Sequence, residues 1–179
     1  MIGRTTDGEP PFINTELSTG LARECCEALV GVDGIPKLLA VVRSCNRSKP
    51  HTILLQHILR ILQHVAAHPF LLRTLSEAPL AVETLGDLLQ YYRPEDHTFL
   101  PATGLLFAIC RASAEARADL RGPAVLRKLQ GSLRLLERKA EVEMKGMKPA
   151  AAGGPRGKGK QEPAVAAPVR ALRRVLELV

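Results

Sequence analysis

At 179 residues, 46% of them apolar but only 3% aromatic and none tryptophan, the chain can bury one core made of leucine, valine, isoleucine and alanine. That palette excludes an aromatic-rich sheet core and favours helices packed on helices. The net charge of +7 is uneven: residues 1–126 hold 12 Lys/Arg against 13 Asp/Glu, and residues 127–179 hold 13 against 5. Attraction to polyanions therefore belongs to the last third, without a choice among nucleic acid, anionic lipid and acidic protein.

Residues 1–17 are polar and proline-bearing, lack the apolar core of a signal peptide, and read as a flexible lead-in. From Ser18, "STGLARECCEALVG" has a Ser/Thr start and a glycine end, which predicts a short helix. "GIPKLLAVVRSC" follows, with Pro36 suited to a first helical turn. In "HTILLQHILRILQHVAAH", Ile53, Leu54, Ile58, Ile61, Leu62 and Val65 are placed on one face of a long amphipathic helix. "PFLLRTLSEA" is a shorter helix begun by Pro69.

The layout then recurs. "PLAVETLGDLLQYYR" at 79–93 matches "GIPKLLAVVRSC" in apolar spacing, 103–120 lies over 58–75 at an offset of 45, and "PAVLRKLQGSLRLLERK" opens a third unit 44 residues after Pro79. A period near 45 residues, each unit a helix, a polar loop, a longer helix and a short third helix, is the pattern of armadillo and HEAT arrays. The expected fold is an all-α, armadillo/HEAT-like solenoid of about two and a half repeats over 18–143. Residues 144–167, rich in Pro, Gly, Ala and Lys, read as a disordered linker, and 168–179 as a short basic amphipathic helix that folds on a partner or back on the array.

Cys25, Cys26, Cys45 and Cys110 show no CxxC spacing and read as reduced thiols of a soluble cytosolic or nuclear protein. No uncharged apolar run approaches the ~20 residues of a membrane span. His51, His57, His64 and His68 lie close in sequence, with His64 and His68 at i, i+4. They lack HExxH and a nearby cysteine pair, so no metal site is expected and the helix pattern accounts for them. No GxSxG, P-loop or GxGxxG occurs, so neither catalytic residues nor a cofactor are expected and the chain reads as a non-enzyme.

The stretch "RSCNRSKPHT" at 43–52 interrupts two apolar runs. Its residue types fit a helix–helix corner: Asn46 with Ser44 or Ser48 can bond helix-end backbone groups, and Pro50 stops the earlier helix. Arg43, Asn46, Arg47 and Lys49 are the candidate protein-contact residues there. Lys145, Lys148, Arg156, Lys158, Lys160, Arg170, Arg173 and Arg174 are the candidate polyanion contacts. The last third contains no aromatic residue, so sequence-specific nucleic-acid binding by base stacking is not expected.

"RSCNRS" between two armadillo-type helices, with "VETLGDLLQYYR" at 82–93 and "LLFAICRAS" beyond it, resembles the C-terminal armadillo-like region of the abnormal spindle-like microcephaly-associated family, over about residues 20–140. Members of that family are large spindle-pole proteins with microtubule-associated segments, calponin-homology domains and calmodulin-binding IQ motifs. The resemblance implies a scaffold with protein partners at spindle poles that contributes to spindle organisation or orientation. It implies a cytoplasmic and cytoskeletal location, at spindle poles or centrosomes in mitosis and in the nucleus in interphase. Contact with microtubules would run through the basic tail. The chain has no IQxxxRGxxxR motif, so calmodulin is not expected. A second reading stays open, a generic cytosolic adaptor tethered by its tail to nucleic acid or anionic membrane.

Overall fold

Helix α6 (Phe99–Ala112) buries Phe99, Ala102, Leu105, Leu106 and Ile109, and five other helices pack against it. A helix with so wide an apolar surface must be central. The computed structural model describes residues 15–91, 97–146 and 163–179, and among these every regular element is a helix. The order is α1 (Thr15–Gly31), α2 (Gly34–Ser44), α3 (Lys49–Ala66), α4 (Pro69–Ser76), α5 (Ala81–Tyr91), α6, α7 (Ala114–Arg121), α8 (Pro123–Gly146) and α9 (Ala166–Leu176).

Local chemistry sets the breaks. Asp33 takes a left-handed backbone (φ 54°) between α1 and α2. Gly34 follows because a Cβ there would lie 2.6 Å from the Leu29 carbonyl oxygen. Pro50 and Pro69 stand in the first turns of α3 and α4, where their missing N–H leaves no bond unmade. Ser113 is extended, and its Oγ accepts from the Ala116 N–H at 3.2 Å to cap α7. Arg117 donates to the Cys110 and Arg111 carbonyls at 2.9 and 3.3 Å, closing the end of α6.

Helices α2, α3 and α4 are 11, 18 and 8 residues long, and α5, α6 and α7 are 11, 14 and 8. The first helices of these triplets run side by side in the same direction. Along α5 and α8, Val125 packs on Gly86, Lys128 bonds Asp87, and Ser132 Oγ donates to the Leu89 carbonyl at 3.0 Å. The partner numbers rise together, so the two helices are parallel. Gly86 permits the approach: a Cβ there would stand 3.3 Å from Val125 Cγ1.

Two expectations change. In α3 the core line is Leu55, Ile58, Leu59, Leu62 and Val65, whereas Ile53, Leu54 and Ile61 are 45, 41 and 40% exposed. The face turns by about one residue because Leu55 and Leu59 compete for the same side and win it. The third unit is also not a helix, a loop and a second helix. Helix α8 runs unbroken for 24 residues, and the helix that packs against it and α6 is α9. The C-terminal helix folds back on the other helices: Val165, Val169, Leu172 and Val175 are buried. Arg174 Cζ lies 4.9 Å from the Phe107 ring centroid, Arg173 pairs with Glu137 at 2.7 Å, and Arg121 Nε donates to the Val179 carbonyl at 2.8 Å.

The expected lead-in, 1–17, falls mostly outside the described residues, although α1 is already helical at Thr15. Of the expected linker, α8 continues to Gly146 and α9 starts at Ala166, while 147–162 lies outside the described residues.

Candidate functional site

The corner between α2 and α3 is braced by its own polar residues. The Ser48 N–H donates to Asn46 Oδ1 at 2.8 Å, an Asx turn, and the Asn46 N–H donates to His51 Nδ1 at 3.0 Å. Ser44 Oγ donates to the Val41 carbonyl at 2.8 Å, one of the orphan acceptors at the end of α2. The Ser48 carbonyl accepts from the Thr52 N–H and hydroxyl, but its side chain makes no cap. Asn46 and Ser44 thus do the bonding expected of this stretch, and Ser48 does it only through its backbone.

This corner lies against the end of α5. Arg47 sits over the Tyr91 ring, 5.8 Å from its centroid. Between them is a hollow of ≈ 460 Å³ walled on one side by Arg43, Cys45, Asn46 and Arg47 and on the other by Thr84, Asp87 and Tyr91. A second hollow of ≈ 360 Å³ continues along the same two helices, between Pro36 and Leu39 on α2 and Pro79 and Leu80 beside α5, and shares Arg43 and Thr84 with the first. The two form one groove along α2 and α5. Leu80 is held at φ 61° at the groove edge, a backbone that a non-glycine residue adopts at a cost of about 1–2 kcal/mol.

The groove is polar at one end and apolar at the other. The Thr84 hydroxyl, 2% exposed, has no partner among the described residues. Asp87 is held by Lys128, whose ammonium is raised above its ordinary range by that hydrogen bond. Cys45 is the one thiol in the lining, and burial pushes its pKa up, away from thiolate. Arg43, Asn46 and Arg47 therefore come together in the lining. Lys49 is exposed at the start of α3 and is not part of it.

Of the polyanion candidates, Lys145 is exposed near the end of α8, while Lys148, Arg156, Lys158 and Lys160 lie outside the described residues. Arg173 and Arg174 are held by Glu137 and Phe107, and Arg170 is not free either. Sequence reasoning missed Thr84, Asp87 and Tyr91 as groove residues. The match between 79–93 and the α2 segment already implied that α2 and α5 are equivalent neighbours, and that signal could have found them.

Over 78 residues, 44% of its length, the chain is 33% identical to the abnormal spindle-like microcephaly-associated protein homolog of Canis lupus familiaris and 35% identical to that of Mus musculus. The counterpart in Saimiri boliviensis boliviensis is 33% identical over the same length. Over that stretch the chain is homologous to the abnormal spindle-like microcephaly-associated proteins. The match spans 2% of the length of each of these relatives. No family model and no solved structure matches the chain.

Among the described residues no three His, Cys, Asp or Glu are grouped to hold a metal, and no helix is long and apolar enough to cross a membrane. The thiols differ sharply. Cys25 is exposed, whereas Cys26 and Cys110 are buried, and burial pushes Cys110 up to about 12. Iodoacetamide is expected to alkylate Cys25 in the native protein and Cys110 only after unfolding, read by peptide mass spectrometry. Because folded Cys110 keeps its proton longer than the unfolded chain does, its contribution to stability falls as pH rises from 9.0 toward about 12.

The corner yields a second expectation. Asn46→Ala removes the Asx turn and should cost about 0.5–2 kcal/mol by analogy with lost caps. Arg47→Glu is exposed and should leave the melting temperature within about 1 kcal/mol of wild type in equivalent stability. Chemical denaturation of both variants checks the contrast.

Proposed function

We propose that the chain is a non-enzymatic protein-interaction module with a spindle-related role, and that the α2–α5 groove receives a segment of its partner. The observation that carries this reading is the meeting of two stretches in space. Arg43, Cys45, Asn46 and Arg47 from one stretch and Thr84, Asp87 and Tyr91 from the other, two stretches that the sequence sets apart as resembling one family, form the two walls of a single groove. Homology to the abnormal spindle-like microcephaly-associated proteins over 78 residues supports the spindle assignment.

Armadillo-like stacking is part of the proposal. It is supported by the repeated 11-residue, longer and 8-residue helix order and by the parallel course of α5 and α8. A non-catalytic role is supported by a groove whose one thiol is disfavoured as thiolate and whose carboxylate is already paired. Binding at spindle poles in mitosis, with weak salt-sensitive contact between the lysine-rich 145–160 segment and acidic microtubule surfaces, completes the reading. The adaptor alternative leans on the basic tail as a tether, and two of its arginines, Arg173 and Arg174, are engaged by Glu137 and Phe107, which weakens it.

The test is localisation in dividing cells. The tagged full chain should gather at spindle poles, and Arg43→Glu/Arg47→Glu should be diffuse at equal expression and melting temperature. A wild-type chain that is diffuse in mitosis, or a double variant still at the poles, would overturn the proposal.

A further inference from the structure

Helix α8 carries a second charged surface that the corner does not use. At about 100° per residue, Arg127, Arg134, Arg138 and Lys145 fall within about 40° of one line along the helix, a ridge ~27 Å long. All four are exposed, and none has a carboxylate partner among the described residues. Glu141 is the one acid on this face. Like charges at i, i+4 and i, i+7 disfavour a helix slightly, so the arrangement gains nothing within the chain.

Three further features say what would cover it. Leu135 and Val142, 67 and 69% exposed, stand seven residues apart along one flank of the ridge. Gly131, in mid-helix between Arg127 and Arg134, has no atom of the described residues within 4 Å of where a Cβ would be, apart from its own helix backbone. Glycine there costs about 1 kcal/mol against alanine, and no neighbour among the described residues requires it. An outside backbone could approach closely at that point. Beside it a hollow of ≈ 410 Å³ runs between α8 and Gln90 of α5.

We propose that this face of α8 docks an acidic amphipathic helix of a protein partner. Its carboxylates would take bidentate hydrogen bonds from the three guanidiniums, and its apolar residues would cover Leu135 and Val142 at helical spacing. A nucleic-acid backbone is disfavoured because the ridge bears no aromatic residue for stacking, and phosphates gain nothing from the exposed leucine and valine. The proposal extends the interaction-module reading to a second groove. It rests on that reading only for the class of partner.

Fluorescence anisotropy of the full chain tests it, with a fluorescein-labelled Glu/Leu amphipathic helical peptide as probe. A Lys/Leu peptide of equal length and a labelled single-stranded DNA serve as comparisons. Arg127→Glu/Arg134→Glu/Arg138→Glu is expected to weaken peptide binding by at least about tenfold. Leu135→Ser should weaken it several-fold without changing the melting temperature, and Arg60→Glu on α3 should have no effect. Arg43→Glu/Arg47→Glu should also bind the peptide normally, so a failure here is distinct from a failure of the corner groove. Absence of peptide binding, or binding unaffected by the triple substitution, would overturn the proposal. DNA binding as tight as the peptide's, together with no effect of Leu135→Ser, would also overturn it and make the ridge a phosphate surface.

Discussion

Leu106→Ala is expected to lower stability by about 2–5 kcal/mol, measured by urea unfolding of the full chain. Leu106 is fully buried in α6, the helix against which α3, α4, α5, α7 and α9 all pack. Walls supplied by so many elements cannot all move inward to fill the space a shortened side chain leaves, so the cavity persists. Domains of this size have total stabilities of only about 5–15 kcal/mol, so the loss would be a large share of the whole. Leu135→Ala on the exposed face of α8 makes the comparison, with an expected change within about 0.5 kcal/mol. Equal losses at the two positions would mean that α6 is not the centre of the core.

Leu172→Glu is expected to strip α9 from the rest of the fold. Leu172 is fully buried among Val165, Val169 and Val175 on the helix face turned toward α6 and α8. A carboxylate placed there has no cation on its own face, since Arg173 and Arg174 point to Glu137 and Phe107 on either side. Burying it unpaired costs several kcal/mol. Detaching the C-terminal segment avoids that cost while giving up the burial of the three valines alone, each about 1.5–3 kcal/mol before the ordering entropy regained by the freed segment is counted. The helix should therefore release and the rest of the fold should stay. Trypsin would then cut rapidly at Arg170, Arg173 and Arg174, and far-UV circular dichroism would lose about the share of helix that α9 contributes. Continued protection of those arginines, with a cooperative transition like that of the wild type, would mean that α9 is not a cap.

These results would explain which parts of the fold were legible in the sequence. The proline at the start of α4 and the polar break at 43–52 are local signals, and the helices begin and end near them. The α3 face was misplaced because leucines and isoleucines occupy almost every side of that helix. Which of them goes inward is decided by α6, not by spacing. The groove was half legible. Arg43, Asn46 and Arg47 stood out as polar residues in an apolar context. Thr84 and Tyr91 carry no such contrast and become groove residues only through the parallel packing of α5 beside α2. The basic ridge was hidden by pooling. Counted with the tail, the arginines of α8 looked like part of a diffuse positive charge, but Arg173 and Arg174 are engaged by Glu137 and Phe107, whereas Arg127, Arg134 and Arg138 of α8 are exposed on one line without a carboxylate partner among the described residues.

The claim that a protein partner sits in the α2–α5 groove is tested most directly by site-specific photocrosslinking in mitotic cells. A benzoylphenylalanine replaces either Tyr91, at the groove wall, or Gln63 on α3, which lines none of the three hollows. The account predicts a discrete adduct from position 91 that is lost when Arg43→Glu/Arg47→Glu is added, and none from position 63. Adducts from position 63 with none from position 91 would contradict it.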